Sequence, residues 1–271
     1  MAFLLGMGLP FSFLILRKAL NTKIETQENI ERMTNVPVLG KIIHNHKKTN
    51  NVVFEYPKSP IAESYRVLRT NLDFSMKGES HKVIMVTSCI TGEGKSFNAI
   101  NIAMCYAQLG RKTILLDFDL RKPTTYFNKQ DEYASGLSSF LNNKASLKEI
   151  ILKSSDDKLD YINSGPIPHN PAELIALDET RKLILSLKDM YEYIIIDTPP
   201  LAQVTDGFLL MNSTDLKVII VRYNYSKKKV VSMVLKDLHH KNVEDICIVL
   251  NDNRIKSDQY GYGYGYNKKN K

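Results

Sequence analysis

The sequence has few cysteines. Only three of its 271 residues are cysteine, namely Cys89, Cys105 and Cys247. They lie far apart, and no two of them have the spacing of a redox-active or metal-binding pair. This excludes a disulfide framework and a cysteine-bound metal centre, and it predicts reduced thiols, as in a cytosolic protein.

The chain also lacks a basic stripe interleaved with aromatic residues, which would indicate nucleic-acid binding. Its formal net charge is nevertheless +8. The basic residues are concentrated near the two ends, with Arg17, Lys18 and Lys23 at one end and three lysines within residues 268–271 at the other. We therefore expect no nucleic-acid partner, and we predict that the N-terminal cluster lies at a membrane surface.

Residues 2–16 carry no charge and are almost wholly apolar. A helix that spans a bilayer needs about 20 apolar residues, so this run is short for a complete span. A secretory signal is disfavoured, because no basic region precedes the run and no small-residue cleavage site follows it. Arg17 and Lys18 follow it directly and fit the positive-inside rule. We predict the end of a transmembrane helix; the alternative is an apolar helix docked on the domain.

A glycine-rich segment links a strand pattern to a helix pattern in the middle of the chain. Residues 83–87 are apolar and largely β-branched, residues 89–96 have the sequence CITGEGKS, and a helical pattern follows. A buried strand, a glycine-rich turn and a helix that carries Gly-Lys-Ser in its first turn form the context of a phosphate-binding loop. The alternative is a glycine-rich turn with Gly-Lys-Ser by chance, since Cys89 replaces the usual first glycine.

If the segment is a phosphate-binding loop, its individual residues have expected roles. Gly92 and Gly94 let the backbone curve round an anion without Cβ clashes. Lys95 would contact the β- and γ-phosphates, and the Ser96 hydroxyl would bind Mg²⁺.

Apolar runs alternate with helical patterns from residue 82 onward. Such alternation predicts an α/β fold with a mostly parallel sheet and helices on both faces, as in P-loop NTPases. The predicted strands are residues 83–86, 113–116, 159–162, 193–196, 218–221 and 246–250. The predicted helices are residues 97–109, 146–153, 171–190, 205–212 and 227–241, with a further helix from residue 61.

Two further motifs place carboxylates where predicted strands end. Asp117 and Asp119 follow one strand, and Asp197 follows another. Carboxyl ends of strands in an open α/β sheet face the ligand-binding crevice. Like charges this close need a neutralising cation such as Mg²⁺, and a carboxylate there can also accept a hydroxyl proton. Each motif alone could be a capping Asp; the three motifs together predict a nucleotide site.

Two segments outside these motifs also carry a pattern. Tyrosine alternates with glycine from Tyr260 to Tyr266, which predicts a mobile arm that presents four hydroxyls; the alternative is an adhesive low-complexity tail. Glu63, Arg66 and Arg69 follow one another at intervals of three on a predicted helix. Their spacing alone predicts a salt-bridged, solvent-exposed face.

Together these residues closely resemble the cytoplasmic kinase region of the bacterial tyrosine kinases (BY-kinases) that regulate capsular and exopolysaccharide synthesis and export. The resemblance covers nearly the whole chain. Its motifs are Walker A at 89–96, Walker A′ at 114–121, Walker B at 194–200 and the tyrosine cluster at 260–266. It implies four parts: residues 1–16 as the end of a transmembrane helix of the polysaccharide co-polymerase component, 17–58 as a juxtamembrane linker, 59–256 as the P-loop kinase domain and 257–271 as a flexible tail.

The resemblance also implies an activity and its partners. The chain would be an ATP- and Mg²⁺-dependent autokinase within a homo-oligomeric ring at the cytoplasmic face of the bacterial inner membrane. It would phosphorylate the tail of a neighbouring subunit, and a phosphotyrosine phosphatase would be a further partner. The implied acceptors are Tyr260, Tyr262, Tyr264 and Tyr266.

Roles carry over by position. The implied catalytic residues are Lys95, Asp117, Asp119 and Asp197, with Asp117 activating the tyrosine hydroxyl and Ser96, Asp119 and Asp197 holding the metal. The implied nucleotide-binding residues are Thr91, Gly92, Glu93, Gly94, Lys95, Ser96, Phe97 and Asn251. Glu63, Arg66 and Arg69 match a motif that packs subunits into a ring, so an interface becomes the favoured interpretation for them.

Two other classes of protein share part of this pattern. Positioning and partition ATPases share the fold, but they carry a second lysine five residues before the P-loop lysine, where this chain has Ile90. A non-catalytic, nucleotide-dependent assembly subunit would not need Asp117, Asp119 and Asp197 intact.

Overall fold

The computed structural model of the protein describes residues 21–76, 81–124, 126–127, 135–154 and 158–254. Its strands are β1 Val38–Ile43, β2 Lys82–Ser88, β3 Thr113–Asp117, β4 Leu152–Lys153, β5 Asp160–Ile162, β6 Tyr193–Asp197, β7 Leu216–Arg222 and β8 Ile246–Asn253. The described strands form one sheet in the order β1-β8-β7-β2-β6-β3-β5-β4. Neighbouring strands are parallel except for β4 and β5, which are antiparallel. The predicted α/β class with a mostly parallel sheet is confirmed.

Helices connect the strands. Those that the structure describes are α1 Gln27–Glu31, α2 Val52–Glu55, α3 Pro60–Ser75, α4 Lys95–Ala107, α5 Leu137–Leu141, α6 Leu147–Ile150, α7 Pro171–Ile175, α8 Asp178–Lys188, α9 Asp206–Leu210 and α10 Lys228–His240. A 3₁₀ turn, Met211–Ser213, follows α9. Helix α3 begins where its sequence predicts, because the Ser59 side chain caps the Ala62 amide and Pro60 occupies the first helical position.

Both faces of the sheet are buried. Successive side chains of a strand point to opposite faces, and β3 and β6 are buried at every position. On β6, Ile195 joins a core formed with α3 and α4, whereas Ile194 and Ile196 join a core on the other face with α8. A third cluster packs α10 against β7 and β8. Helices on both faces therefore leave the ends of the strands as the accessible part of the sheet.

Strand β1 lies within the segment that the sequence predicts to be a linker. Pro37 and Gly40 resemble a turn, but Pro37 precedes the strand, where its missing N–H costs nothing, and its carbonyl accepts a 2.9 Å hydrogen bond from the Ile248 amide. Gly40 lets α3 approach closely, since a Cβ there would lie 2.8 Å from Cδ1 of Leu68. The sequence of residues 36–40, Val-Pro-Val-Leu-Gly, predicts a turn, and that prediction is wrong. The division of the chain at residue 59 stays a prediction.

Two helix predictions were also too long. In the segment predicted as a helix over residues 146–153, the helix ends at Ile150. The chain then forms β4, which pairs with β5. The pattern over 171–190 is divided into α7 and α8 at Leu177, whose extended ψ of 148° breaks the helix before Asp178. An acidic residue at a new helix start is favourable because it faces the positive end of the helix dipole.

Two predictions fall outside the described residues: the transmembrane segment at 1–16 and the tyrosine tail at 257–271. Among the helices that are described, none combines the length and the apolar character needed to cross a bilayer.

Candidate active site

The phosphate-binding loop lies between β2, a central strand, and α4. Gly92 and Gly94 have φ values of +89° and +93°, a region that side chains with a Cβ rarely adopt. A Cβ on Gly94 would also overlap the side-chain amide of Asn251. Helix α4 begins at Lys95, so the Gly-Lys-Ser sequence forms its first turn. The backbone N–H groups of that turn have no partner within the helix and can donate hydrogen bonds to an anion.

The turn after β7 holds the loop in place. Arg222 donates a 2.9 Å hydrogen bond to the carbonyl of Gly92, and the Tyr225 hydroxyl donates one of 2.9 Å to the carbonyl of Thr91. The Glu93 carboxylate accepts hydrogen bonds from the Ser226 hydroxyl and from the amide of Ile90. The Glu93 side chain therefore braces the loop from behind and does not line the pocket.

Burial raises the pKa of Glu93 to about 7, although the hydrogen bonds from Ser226 and from the loop amides oppose the shift. The folded state therefore binds this proton more tightly than the unfolded state, in which a glutamate titrates near pH 4.3. Its contribution to stability is complete below that pH and is lost as pH rises through about 7.

Glu93→Gln should remove this pH dependence, because glutamine keeps the shape of the side chain and stays neutral. Relative to the variant, the wild type should lose about 3 kcal/mol of unfolding free energy as pH rises from about 4.5 to 7.5. Urea unfolding of both proteins across this range measures the difference. If the unfolding free energies of the two proteins change with pH in the same way, Glu93 is ionised at no cost in the folded state.

Three carboxylates meet at the carboxyl ends of neighbouring strands. Asp117 on β3 and Asp197 on β6 are in register, and both are fully buried. The Lys95 ammonium lies 2.8 Å from an oxygen of Asp119 and 3.6 Å from an oxygen of Asp197. The structure therefore brings together the four predicted catalytic residues.

The electrostatics of this cluster follow from its burial. Burial, and next the charge of Asp197, raise the pKa of Asp117 well above its usual value. Burial likewise raises the pKa of Asp197, while Lys95 opposes the shift. Burial alone would lower the pKa of Lys95, but Asp197 and Asp119 outweigh it and raise that pKa, so Lys95 stays charged. The cluster is thus one buried ammonium group surrounded by carboxylates.

These groups fit a magnesium ion that is bound together with a nucleotide. Oδ1 of Asp197 is buried and accepts no hydrogen bond, which leaves an oxygen available for a cation. No group of three His, Cys, Asp or Glu residues in the described ranges is placed to hold a metal by itself. Mg²⁺ commonly binds through one or two carboxylates, waters and substrate phosphates. Ser96, Asp119 and Asp197 provide such a partial set.

A pocket of about 380 Å³ opens over this cluster. Of the predicted residues, it is lined by Thr91, Gly92, Gly94, Lys95, Ser96, Phe97 and Asp119. Asp117 lies beneath the pocket wall, where its two oxygens accept hydrogen bonds from the amides of Asp119 and Thr124 at 3.0 and 2.8 Å. Asn251 lines a second pocket of about 200 Å³ that also contacts Gly94 and Phe97. The loop therefore separates two adjoining cavities.

Several residues of the site were not predicted. The Tyr126 hydroxyl donates a 3.0 Å hydrogen bond to Oδ2 of Asp197. Arg121 makes a two-pronged contact with the buried Asp206, at 2.8 and 3.0 Å. Arg121 belongs to the Asp-x-Asp-x-Arg motif and could have been singled out, whereas neither Tyr126 nor Asp206 stands in a recognisable pattern. Both act here by holding charged groups in place.

The predicted interface residues lie on α3. Arg66 is 2.7 Å from Glu63, and Arg69 donates a 3.4 Å hydrogen bond to the carbonyl of Cys105. The predicted salt bridge is therefore present within the chain, and the interface stays a prediction. The predicted acceptors Tyr260, Tyr262, Tyr264 and Tyr266 lie outside the described residues.

Comparisons with known proteins identify the family. The family described as an AAA domain matches residues 81–246. The tyrosine-protein kinase YwqD of Bacillus subtilis is 36% identical over 214 residues, which cover 79% of this chain and 90% of the relative.

Two solved structures agree with this. The chimerical protein CapA2B2 is 36% identical and aligns with a TM-score of 0.77. The alignment covers 85% of this chain and all of that chain. The kinase domain of the Escherichia coli tyrosine kinase ETK is 27% identical, with a TM-score of 0.77 over 90% of this chain and all of that one. With its P-loop, its paired strand-end carboxylates and these relatives, the chain belongs to the family of bacterial tyrosine-protein kinases.

Proposed function

We propose that this kinase transfers the γ-phosphoryl group of Mg·ATP to tyrosines of its own C-terminal cluster, presented by a neighbouring subunit. The observation that carries the proposal is the position of Lys95, between Asp119 and Asp197 at the opening of the phosphate-binding loop. Phosphoryl transfer depends mainly on positioning and on neutralising charge, and this cluster supplies both a cation and metal-binding carboxylates.

Lys95 exchanges partners when a nucleotide binds. Its ammonium pairs with Asp119 and Asp197, so it is already charged and located at the loop. A triphosphate carries several negative charges and would draw Lys95 from Asp119 and Asp197, and these two carboxylates would then be available to hold the metal. Bound Mg²⁺ supplies positive charge that neutralises the phosphates during transfer. The buried carboxylates are thus paired with a cation before and after binding.

Asp117 accepts the proton of the incoming tyrosine. Burial raises its pKa, so Asp117 acts as a base only where cations keep it ionised: Lys95 lowers that pKa, and the charge of bound Mg²⁺ would lower it further. In the step, the tyrosine oxygen bonds to the γ-phosphorus, the bond to ADP breaks, and the hydroxyl proton passes to Asp117. Asp117 lies beside the phosphate pocket, where the amides of Asp119 and Thr124 hold its carboxylate in place.

The smaller pocket takes the nucleotide base. It adjoins the phosphate pocket at Gly94 and offers an aromatic ring from Phe97 and an amide from Asn251. A base has a flat apolar face and polar edges, so an aromatic surface and an amide complement it. The Asn251 side chain also donates a 2.9 Å hydrogen bond to the carbonyl of Glu93, which links the base pocket to the loop.

The subunits assemble as a ring through α3, so that each tail reaches the next active site. Residues 1–16 end a transmembrane helix, residues 17–58 lead to the kinase domain of 59–256, and the domain is at the cytoplasmic face of the bacterial inner membrane. Phosphorylation of the tail and its removal by a phosphatase regulate capsule or exopolysaccharide polymerisation and export. The resemblance of the motifs to BY-kinases supports this assignment.

Phosphopeptide mapping tests the activity. After incubation with Mg·ATP, mass spectrometry should find phosphate on residues of the 260–266 cluster, and EDTA should prevent it. A variant with all four of those tyrosines changed to phenylalanine is the control for sites elsewhere. ATP hydrolysis without any phosphotyrosine would instead favour an ATPase of the positioning type.

Removing the α3 motif tests the assembly. A variant with Glu63, Arg66 and Arg69 changed to alanine should be a folded monomer with at least several-fold slower tail phosphorylation, because neighbouring tails no longer reach the site. Light scattering measures its mass. The matched control changes Glu179, Arg181 and Lys182 on α8, which include a comparable ion pair, and should leave the assembly intact. If the mass of the α3 variant is unchanged, the motif forms no interface and is a solvated salt bridge only.

A further inference from the structure

A basic surface runs along α10. Lys227, Lys229 and Lys236 are exposed, and Met233 between them is 55% exposed. Lys229, Met233 and Lys236 share one face of the helix, because they are four and three residues apart. None of these three lysines has an ion-pair partner among the described residues. This surface, defined by these four residues and called here the α10 lysine face, carries positive charge that complements an anionic surface.

The described chain begins beside this face. Lys23 pairs with Lys227 as an antiparallel bridge, and the carbonyl of Thr22 accepts a 2.8 Å hydrogen bond from the Lys228 amide. The Lys228 ammonium donates a 3.1 Å hydrogen bond to the carbonyl of Asn21, and Ile24 is fully buried. The start of the described chain is thus fastened to the N-terminus of α10.

This attachment limits the distance between the α10 lysine face and the apolar run. Residue 16 ends that run and lies five residues before residue 21. Five residues span at most about 18 Å when fully extended. Two of the intervening residues are Arg17 and Lys18, which add to the same positive charge. If residues 2–16 are in a bilayer, the N-terminus of α10 lies near its surface.

We propose that the α10 lysine face docks on the anionic phospholipid headgroups of the membrane that holds residues 2–16. The proposal rests on the membrane segment of the proposed function. Headgroup phosphates complement lysines that lack a partner, and the exposed Met233 suits the boundary between headgroups and acyl chains. Each lysine close to an anionic leaflet strengthens partitioning by about five-fold, and salt weakens this attraction. Docking would fix the orientation of the kinase domain relative to the bilayer.

A fluorescent probe on α10 tests the contact. The three native cysteines are buried, so a cysteine in place of Met233 can be labelled selectively in the full chain. A cysteine in place of Leu185, which is 52% exposed on α8, is the matched control. In vesicles of phosphatidylcholine with phosphatidylglycerol, a headgroup-attached quencher should quench the probe at 233 but not at 185. High salt, or vesicles of phosphatidylcholine alone, should abolish the quenching.

Charge reversal separates docking from anchoring. Lys227→Glu with Lys229→Glu and Lys236→Glu should remove the quenching at 233, whereas reversal of Lys144, Lys148 and Arg181 should not. Pelleting with phosphatidylcholine vesicles measures separately whether the apolar segment anchors the protein to a bilayer. Protein that pellets with an unquenched probe at 233 overturns docking and leaves the segment standing; protein that pellets with no vesicles overturns both. If the probe is unquenched in the wild type and charge reversal changes the mass of the oligomer, docking is overturned and the α10 lysine face is a contact between copies of the chain.

Discussion

Lys95→Met is expected to abolish tyrosine phosphorylation, with a loss of about a hundred-fold or more in rate. Methionine fills a similar volume but carries no charge, so the phosphates lose the cation that compensates them. The ammonium also neutralises Asp119 and Asp197, at 2.8 and 3.6 Å. Its loss should raise the pKa of the buried Asp197 further, so part of the damage is to the binding of the metal. Quantitative detection of phosphotyrosine with Mg·ATP measures the rate.

Lys112→Met is the matched control. Lys112 is exposed and directly precedes β3, so it lies at the opposite end of the strand from Asp117. The same change of charge there should leave the rate of phosphorylation within about two-fold, as is usual for surface substitutions. Circular dichroism of both variants should match the wild type. Normal phosphorylation by a folded Lys95→Met protein would show that this lysine is not at the site of transfer.

Asp117→Asn should separate binding from transfer. Asparagine keeps the size of the side chain but cannot accept the tyrosine proton, and a general base typically contributes about 10²- to 10⁴-fold. The amide can still accept one of the two backbone hydrogen bonds that Asp117 receives from Asp119 and Thr124. Burial already favours a neutral group at this position. We therefore expect the variant to fold and to bind nucleotide while transfer falls by at least two orders of magnitude.

Calorimetric titration with a non-hydrolysable ATP analogue measures binding by this variant. An affinity close to that of the wild type, combined with the loss of transfer, assigns the base. The control is Asp206→Asn, which loosens Arg121 without removing a strand-end carboxylate and should reduce transfer less. Equal losses of binding and transfer in Asp117→Asn would make Asp117 a structural part of the loop.

Much of the site could be predicted because its determinants are local in sequence. The strand, glycine-rich turn and helix at residues 83–108 adjoin one another, and the strand-end Asp117 and Asp197 follow from two apolar runs. That these two residues lie on adjacent strands depends on the position of β6 between β2 and β3, which no local pattern specifies.

The braces of the loop could not be predicted. Ser226 and Arg222 contact the loop from 133 and 130 residues away in sequence. Tyr126 reaches Asp197 from a segment with no periodic pattern, and Asp206 appears in the sequence as an ordinary helix-start acid. Strand β1 was missed because Pro37 and Gly40 resemble a turn. Gly40 is required by the approach of Leu68, which is a matter of tertiary packing.

A mixing experiment tests most directly whether the site phosphorylates the tail of another subunit. One partner is the Lys95→Met chain, which keeps its tyrosines but cannot transfer phosphate. The other keeps its active site but has phenylalanine at Tyr260, Tyr262, Tyr264 and Tyr266. After incubation with Mg·ATP, phosphate should appear on the tail of the Lys95→Met chain, which neither protein can produce alone. An unphosphorylated Lys95→Met tail in the mixture, with normal phosphorylation of the wild type, would contradict transfer between subunits.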